Sequence, residues 1–139
     1  MSHFVPLKTT IKDLNILVES LVCLGFKREA IEIHEKNPTS IHDYHKQSAK
    51  AHVAIRSNYT GIPSDIGWEK MSDGTFTAHL DDFDYHRGTR YDAVWSSKLQ
   101  LRYNMETSKK SFKENGWTFT ETVDENKNPV LVAKEKERW

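Results

Sequence analysis

The chain has 139 residues, with Lys+Arg and Asp+Glu both at 20 and a formal net charge of zero. That balance removes any general attraction to nucleic acid or anionic membrane. No run approaches the ~18 apolar residues of a membrane span, and the single Cys23 excludes an internal disulfide or a multi-cysteine zinc site.

Residues 4–11 alternate, with Val5, Leu7, Thr9 and Ile11 on one side of a strand. Pro6 lacks a ladder donor and favours a sheet edge. Asp13 is placed to cap a helix whose apolar stripe is Leu14, Leu17, Val18, Leu21 and Leu24. Cys23 is expected on its apolar face as a buried, inert thiol, and Gly25 stops the helix in the left-handed cap position. Residues 29–34 read as a second strand with Ile31 and Ile33 inward. Residues 37–50, polar and containing Pro38, read as a loop bearing His42, Tyr44 and His45. Residues 51–56 form a third strand with Ala51, Val53 and Ile55 on one face, and residues 58–64 a turn around Gly61 and Pro63.

The stretch from 65 to 88 organises the rest. Ile66, Trp68 and Lys70 alternate with Gly67, Glu69 and Met71. The Asp73-Gly74 pair then tolerates positive φ in a hairpin turn. The return strand puts Phe76, Ala78 and Leu80 on one face and Thr77 and His79 on the other. Gly67 is assigned to plain packing beside Trp68 rather than to a close backbone approach. An acidic, histidine-bearing loop, Asp81-Asp82-Phe83-Asp84-Tyr85-His86, leads into a long helix over 91–115. Its stripe is Tyr91, Val94, Leu101, Met105 and Phe112, widened by Trp95 and Leu99. Residues 117–123 and 130–134 form a last hairpin, and a charged tail from about 135 ends in Trp139.

The order β-α-β-β-β-β-α-β-β predicts one α+β domain over 1–139, a mostly antiparallel sheet with two helices on one face. Both helices exit through Gly plus an aromatic, Gly25-Phe26 and Gly116-Trp117, which suggests a duplicated helix–strand unit.

Several polar groups invite a chemical reading, each against a plainer one. Asp82, Asp84 and His86 have the oxygen-rich character a hard divalent cation prefers and would suit phosphate-ester hydrolysis. Acidic residues before a helix, however, also satisfy its N-terminal amides. His42 and His45, with His34 and His52 near in sequence, lack the further ligands tetrahedral zinc needs and read as a solvated loop. Ser2 beside His3 is a conceivable nucleophile and base after loss of Met1, but His3 reads more simply as the start of the first strand. Trp68, Phe76, Trp95 and Trp117 resemble a base-stacking platform in type, yet they sit on apolar faces and are assigned to the core. No Gly-rich phosphate loop, nucleophile elbow, HExxH or kinase signature is present.

Met1-Ser2-His3-Phe4, Lys8-Thr9 and Ile11-Lys12-Asp13 open the chain, followed by Leu24-Gly25-Phe26, Val53-Ala54-Ile55-Arg56, Asp65-Ile66-Gly67-Trp68, Asp73-Gly74-Thr75 and Leu101-Arg102-Tyr103. In this order the chain resembles a small conserved family of cyanobacteria, plastid genomes and cyanobacterial viruses. The family implies no established activity. Relatives beside MoxR-type AAA ATPases imply an accessory or adaptor role. The chain departs from the family after Arg102-Tyr103, where Asn104, Met105 and Glu106 replace a second Tyr and a His.

Together these readings predict a cytoplasmic, non-enzymatic protein-binding module needing no cofactor, with a small metal-dependent hydrolase as the alternative. For a viral chain the compartment would be the host cytoplasm, and for a plastid one the stroma. The expected contact residues are His42, Tyr44, His45, Asp81, Asp82, Asp84, His86 and Trp139, with another protein as partner. In the alternative, Asp82, Asp84 and His86 hold the metal.

Overall fold

Alternation and helical spacing place most elements where the sequence suggests. The computed structural model describes residues 4–87 and 90–135. Along them run β1 (Phe4–Lys8), α1 (Leu14–Cys23), β2 (Ile31–Ile33), β3 (Thr39–His42), β4 (Ser48–Ala51), β5 (Val53–Ile55) and the one-turn α2 (Ser57–Thr60). Then come β6 (Ile66–Lys70), β7 (Phe76–Asp81), α3 (Asp82–Arg87), α4 (Ala93–Glu114), β8 (Thr118–Val123) and β9 (Pro129–Lys134). His3, Ser2 and Trp139 lie outside the described residues.

The fold is α+β. One antiparallel sheet has the order β1-β7-β6-β5-β2, and β1 is its edge, as Pro6 requires. Its core face carries Val53, Ile55, Ile66, Trp68, Phe76 and Leu80, all fully buried. Ile16, Leu17, Val18 and Leu21 of α1 and Leu99 and Tyr103 of α4 complete that core. Asp13 caps α1 as expected, accepting from the Ile16 N–H at 3.1 Å. Tyr103 ties the two helices together: its hydroxyl accepts from the backbone N–H of Lys12 and of Asp13, each at 3.0 Å. The α4 stripe is therefore rotated from the expected one, with Tyr103 inside, while Val94 is 63% and Leu101 39% exposed. Cys23 is exposed rather than buried. Partial desolvation, and then the Glu106 carboxylate beside it, raise its pKa and keep the thiol protonated.

The second face of the sheet is where the sequence reading fails most. The stretch read as a loop over 37–50 contains the β3–β4 hairpin, with Ile41 opposite Ala49 and Thr39 opposite Ala51. Chain continuity bends at His52, whose Nδ1 accepts from the Lys70 N–H at 2.9 Å. Ala51 consequently points away from Val53 and Ile55, and joins Ile41 and Ala54 in a second small core. The hairpin presses so closely on β6 that a Cβ on Gly67 would lie 2.6 Å from Ala51 Cβ and 2.9 Å from Ile41 Cδ1. Gly67 is thus a close-approach glycine, not plain packing beside Trp68. An ionic anchor holds the hairpin's base. Arg56 donates to Glu32 at 2.9 and 3.1 Å, to the Ser40 carbonyl at 2.7 Å and to Asp65 at 3.4 Å. The Arg56 hydrogen bonds hold the Glu32 carboxyl below its ordinary value.

The duplicated helix–strand unit does not materialise. β2 joins the main sheet through β5, whereas β8 pairs with β9 in a separate two-stranded ribbon beside α4. Glu121 fastens this ribbon, accepting from Arg102 at 2.8 and 3.1 Å and pairing with Lys109. Those donors bring the Glu121 pKa down from 4.5 to about 2. A folded pKa below the unfolded one means that the stabilisation is complete above about pH 5 and disappears as pH falls toward 2. Wild type is therefore expected to melt above Glu121→Gln at neutral pH, with the two melting temperatures converging by about pH 2. A gap that stays constant with pH would remove the carboxylate from this role.

Candidate partner-binding surface

Two segments expected to act separately, the 42–45 stretch and the acidic run at 81–86, meet in space. The β3–β4 turn is built by Asp43, whose buried Oδ1 accepts from the N–H groups of His45 and Gln47, both at 2.9 Å. Lys46 takes the left-handed conformation there, with φ 60°. The acidic run is not a loop but the short helix α3, opened by Asp81 at the end of β7. Asp81 is fully buried. Its Oδ1 accepts from the N–H of Phe83 at 2.9 Å and of Asp84 at 3.3 Å, and its Oδ2 from the N–H of Tyr44 at 3.4 Å. One carboxylate so bonds the backbones of both segments.

The consequence is an exposed aromatic pair. Tyr44, 36% exposed, and Phe83, 43% exposed, have ring centroids 5.8 Å apart. The Arg87 guanidinium lies over the Phe83 ring, 4.6 Å from its centroid. Desolvation, and then the carboxylates of Asp81 and Asp84, push the Tyr44 phenol pKa up, so it remains an uncharged hydroxyl. Around the pair, His45 is exposed and His86 is exposed and paired with Asp82 at 2.9 Å. His42 is half exposed, its backbone N–H held by Asp65 at 2.9 Å.

The expected contact residues therefore divide. His42, Tyr44, His45 and His86 present side chains to solvent, and Asp82 is partly exposed. Asp81 and Asp84 do not: both are buried and serve backbone amides, so they support the surface instead of forming it. Asp84 accepts from the N–H of Arg90 at 3.3 Å and from that of Tyr91. Tyr91 is buried in turn, its hydroxyl donating to the Thr60 carbonyl. Burial raises that phenol to about 12, Arg90 pulling against the rise and Asp84 adding to it. Asp84 thus faces the α4 entrance while Asp82 and His86 pair on the other side of α3. Among the described residues no three His, Cys, Asp or Glu side chains gather as a metal site would need. Trp139 lies outside the described residues.

Phe83 and Arg87 are the surface residues missed from sequence. A signal existed, since Phe83 is an apolar residue inside a run of aspartates, where burial against a core is not the default. Compared with known proteins, the chain matches no family model, no curated protein and no solved structure.

Proposed function

We propose that this protein is a non-enzymatic protein-binding module of adaptor type, and that the Tyr44–Phe83 patch is its contact surface. The observation supporting this is the single buried Asp81 carboxylate, which bonds the backbones that carry both exposed rings. Rigidly mounted aromatics with an adjacent Arg are the commonest anchors of protein interfaces, because they bury much area at little entropic cost. The partner would offer an apolar pocket to the two rings. The family resemblance implies an AAA ATPase or, for a virus-encoded chain, a host protein.

A photo-crosslinking side chain at position 83 is expected to trap one protein from a cyanobacterial lysate, and the same probe at the exposed Val132 of β9 should not. Tyr44→Ala plus Phe83→Ala should weaken binding of that partner by roughly thirtyfold or more, the scale of an interface hot spot. Its unfolding transition should stay close to wild type, because both rings are already exposed. Equal trapping from both positions, or undiminished binding by the double variant, would remove the patch from this role.

A further inference from the structure

The β8–β9 ribbon forms a sheet of its own, and no residue of either strand is buried. An isolated two-stranded hairpin is marginal in water, and an unpaired strand edge is a template for another strand. The other edges are guarded. In the main sheet β1 carries Pro6 at its centre, and β2 has three residues with Glu32 in the middle. The outer edge of β8 centres on Glu121, so an antiparallel copy about that point would set two carboxylates side by side. β9 has no such guard. Between Pro129 and Lys134 at its ends lie Val130, Leu131, Val132 and Ala133, with no charge, proline or glycine among them.

The turn fixes which backbone groups β9 directs outward. Asp124 N–H donates to the Asn128 carbonyl at 3.0 Å, so these two residues form a hydrogen-bonded pair. Such pairs alternate along an antiparallel ribbon, and the register then makes Val130–Thr122 and Val132–Thr120 the next ones. Pro129, Leu131 and Ala133 therefore turn their backbone groups to the open edge, where among the described residues no strand pairs with them. Pro129 falls on the side where its missing N–H costs the ribbon nothing. Side chains follow the other alternation. Val130 and Val132 stand together on the outer face, 37% and 57% exposed.

We infer that β9 pairs antiparallel with β9 of a second copy of this chain, about a two-fold axis at Leu131, joining two ribbons into a four-stranded sheet. Leu131 exchanges both backbone hydrogen bonds with Leu131 of the other copy, and each Ala133 N–H donates to the other copy's Pro129 carbonyl. This register sets Val130 of each copy beside Val132 of the other, which makes one apolar strip. Lys134 faces the uncharged Asn128, so no like charges meet. Moving the axis to Val132 would instead set Val130 beside Lys134. A strand paired with itself closes after two copies, whereas β9 on β8 would continue as a filament. The edge shares no residue with the Tyr44–Phe83 patch. A crosslinking probe at Val132 would meet only a second copy of this chain, told from any lysate protein by its mass.

Sedimentation velocity of the purified chain from about 10 μM to 1 mM is the test. An edge-to-edge contact is small, so a dimer with a Kd on the order of 100 μM is expected. Val130→Glu plus Val132→Glu places like charges opposite each other twice and should weaken the dimer by roughly tenfold or more. Val130→Lys plus Val132→Glu has the same exposed, polar character but places opposite charges there, and should stay within about threefold of wild type. Hydrogen exchange on wild type supplies a reading that needs no variant: the Leu131 and Ala133 amides should gain protection with concentration, and the Val130 and Val132 amides, already bonded to β8, should not. A wild type that is monomeric at 1 mM, or that assembles beyond two copies, would overturn the dimer. Equal weakening in the two double variants, or exchange at Leu131 and Ala133 that ignores concentration, would overturn the β9 pairing.

Discussion

Gly67→Ala is expected to lower the unfolding free energy by about 1–3 kcal/mol, the usual cost of forcing a methyl into a filled site. In an unobstructed strand the same change would stabilise by ~0.5–1 kcal/mol, through the backbone entropy that glycine loses on folding. Here the sign reverses, because the new Cβ would stand 2.6 Å from Ala51 Cβ, 2.9 Å from Ile41 Cδ1 and 3.2 Å from the Val53 carbonyl. The Ile41 tip has some freedom to turn aside, whereas Ala51 and the Val53 backbone move only if the β3–β4 hairpin lifts from the sheet. Urea unfolding followed by tryptophan fluorescence would read the loss. Ala51→Gly in the same chain should recover part of it, since the nearest contact is removed; coupling of roughly 0.5–3 kcal/mol is typical for touching residues. A midpoint equal to or above wild type would mean that the hairpin does not sit on β6 as described.

Asp84→Ala should rank next, costing about 1–3 kcal/mol by leaving the Tyr91 amide without its buried acceptor. Asp82→Ala, two residues away, removes a pair with the exposed His86 and should cost no more than about 1 kcal/mol. The asymmetry separates a structural carboxylate from a metal ligand. A metal site would make the two variants alike, and would raise the melting temperature of wild type in Mg²⁺, Mn²⁺ or Zn²⁺ by mass action. The expected outcome is that none of the three ions shifts wild type and that Asp84→Ala melts well below Asp82→Ala. A metal-dependent rise lost in both variants would restore the hydrolase reading.

What was readable in advance, and what was not, divides along a physical line. The Asp13 cap, the edge position of Pro6, the alternation of β6 and β7 and the Asp73-Gly74 turn all rest on interactions within a few residues. In that turn Asp73 Oδ1 accepts from the Thr75 N–H at 2.9 Å, a contact between residues two apart. The β3–β4 hairpin was missed because its inward residues, Ile41, Ala49 and Ala51, carry little hydrophobic signal, while the intervening positions are polar. The α4 stripe came out rotated because spacing alone gives no reason to prefer Tyr103 over Leu101. The preference comes from the Lys12 and Asp13 amides that receive the Tyr103 hydroxyl, some ninety residues away in sequence.

The same division governs the candidate site. The α+β class, the apolar faces of α1 and α4 as such and the chemical character of the 42–45 and 81–86 stretches follow from local periodicity and composition. Long-range contacts, by contrast, turn Asp81 and Asp84 inward and bring Tyr44 and Phe83 to the surface together. Those outcomes depend on which distant backbone amides need an acceptor once the sheet closes, and Asp81 meets that need for Tyr44 across 37 positions of sequence.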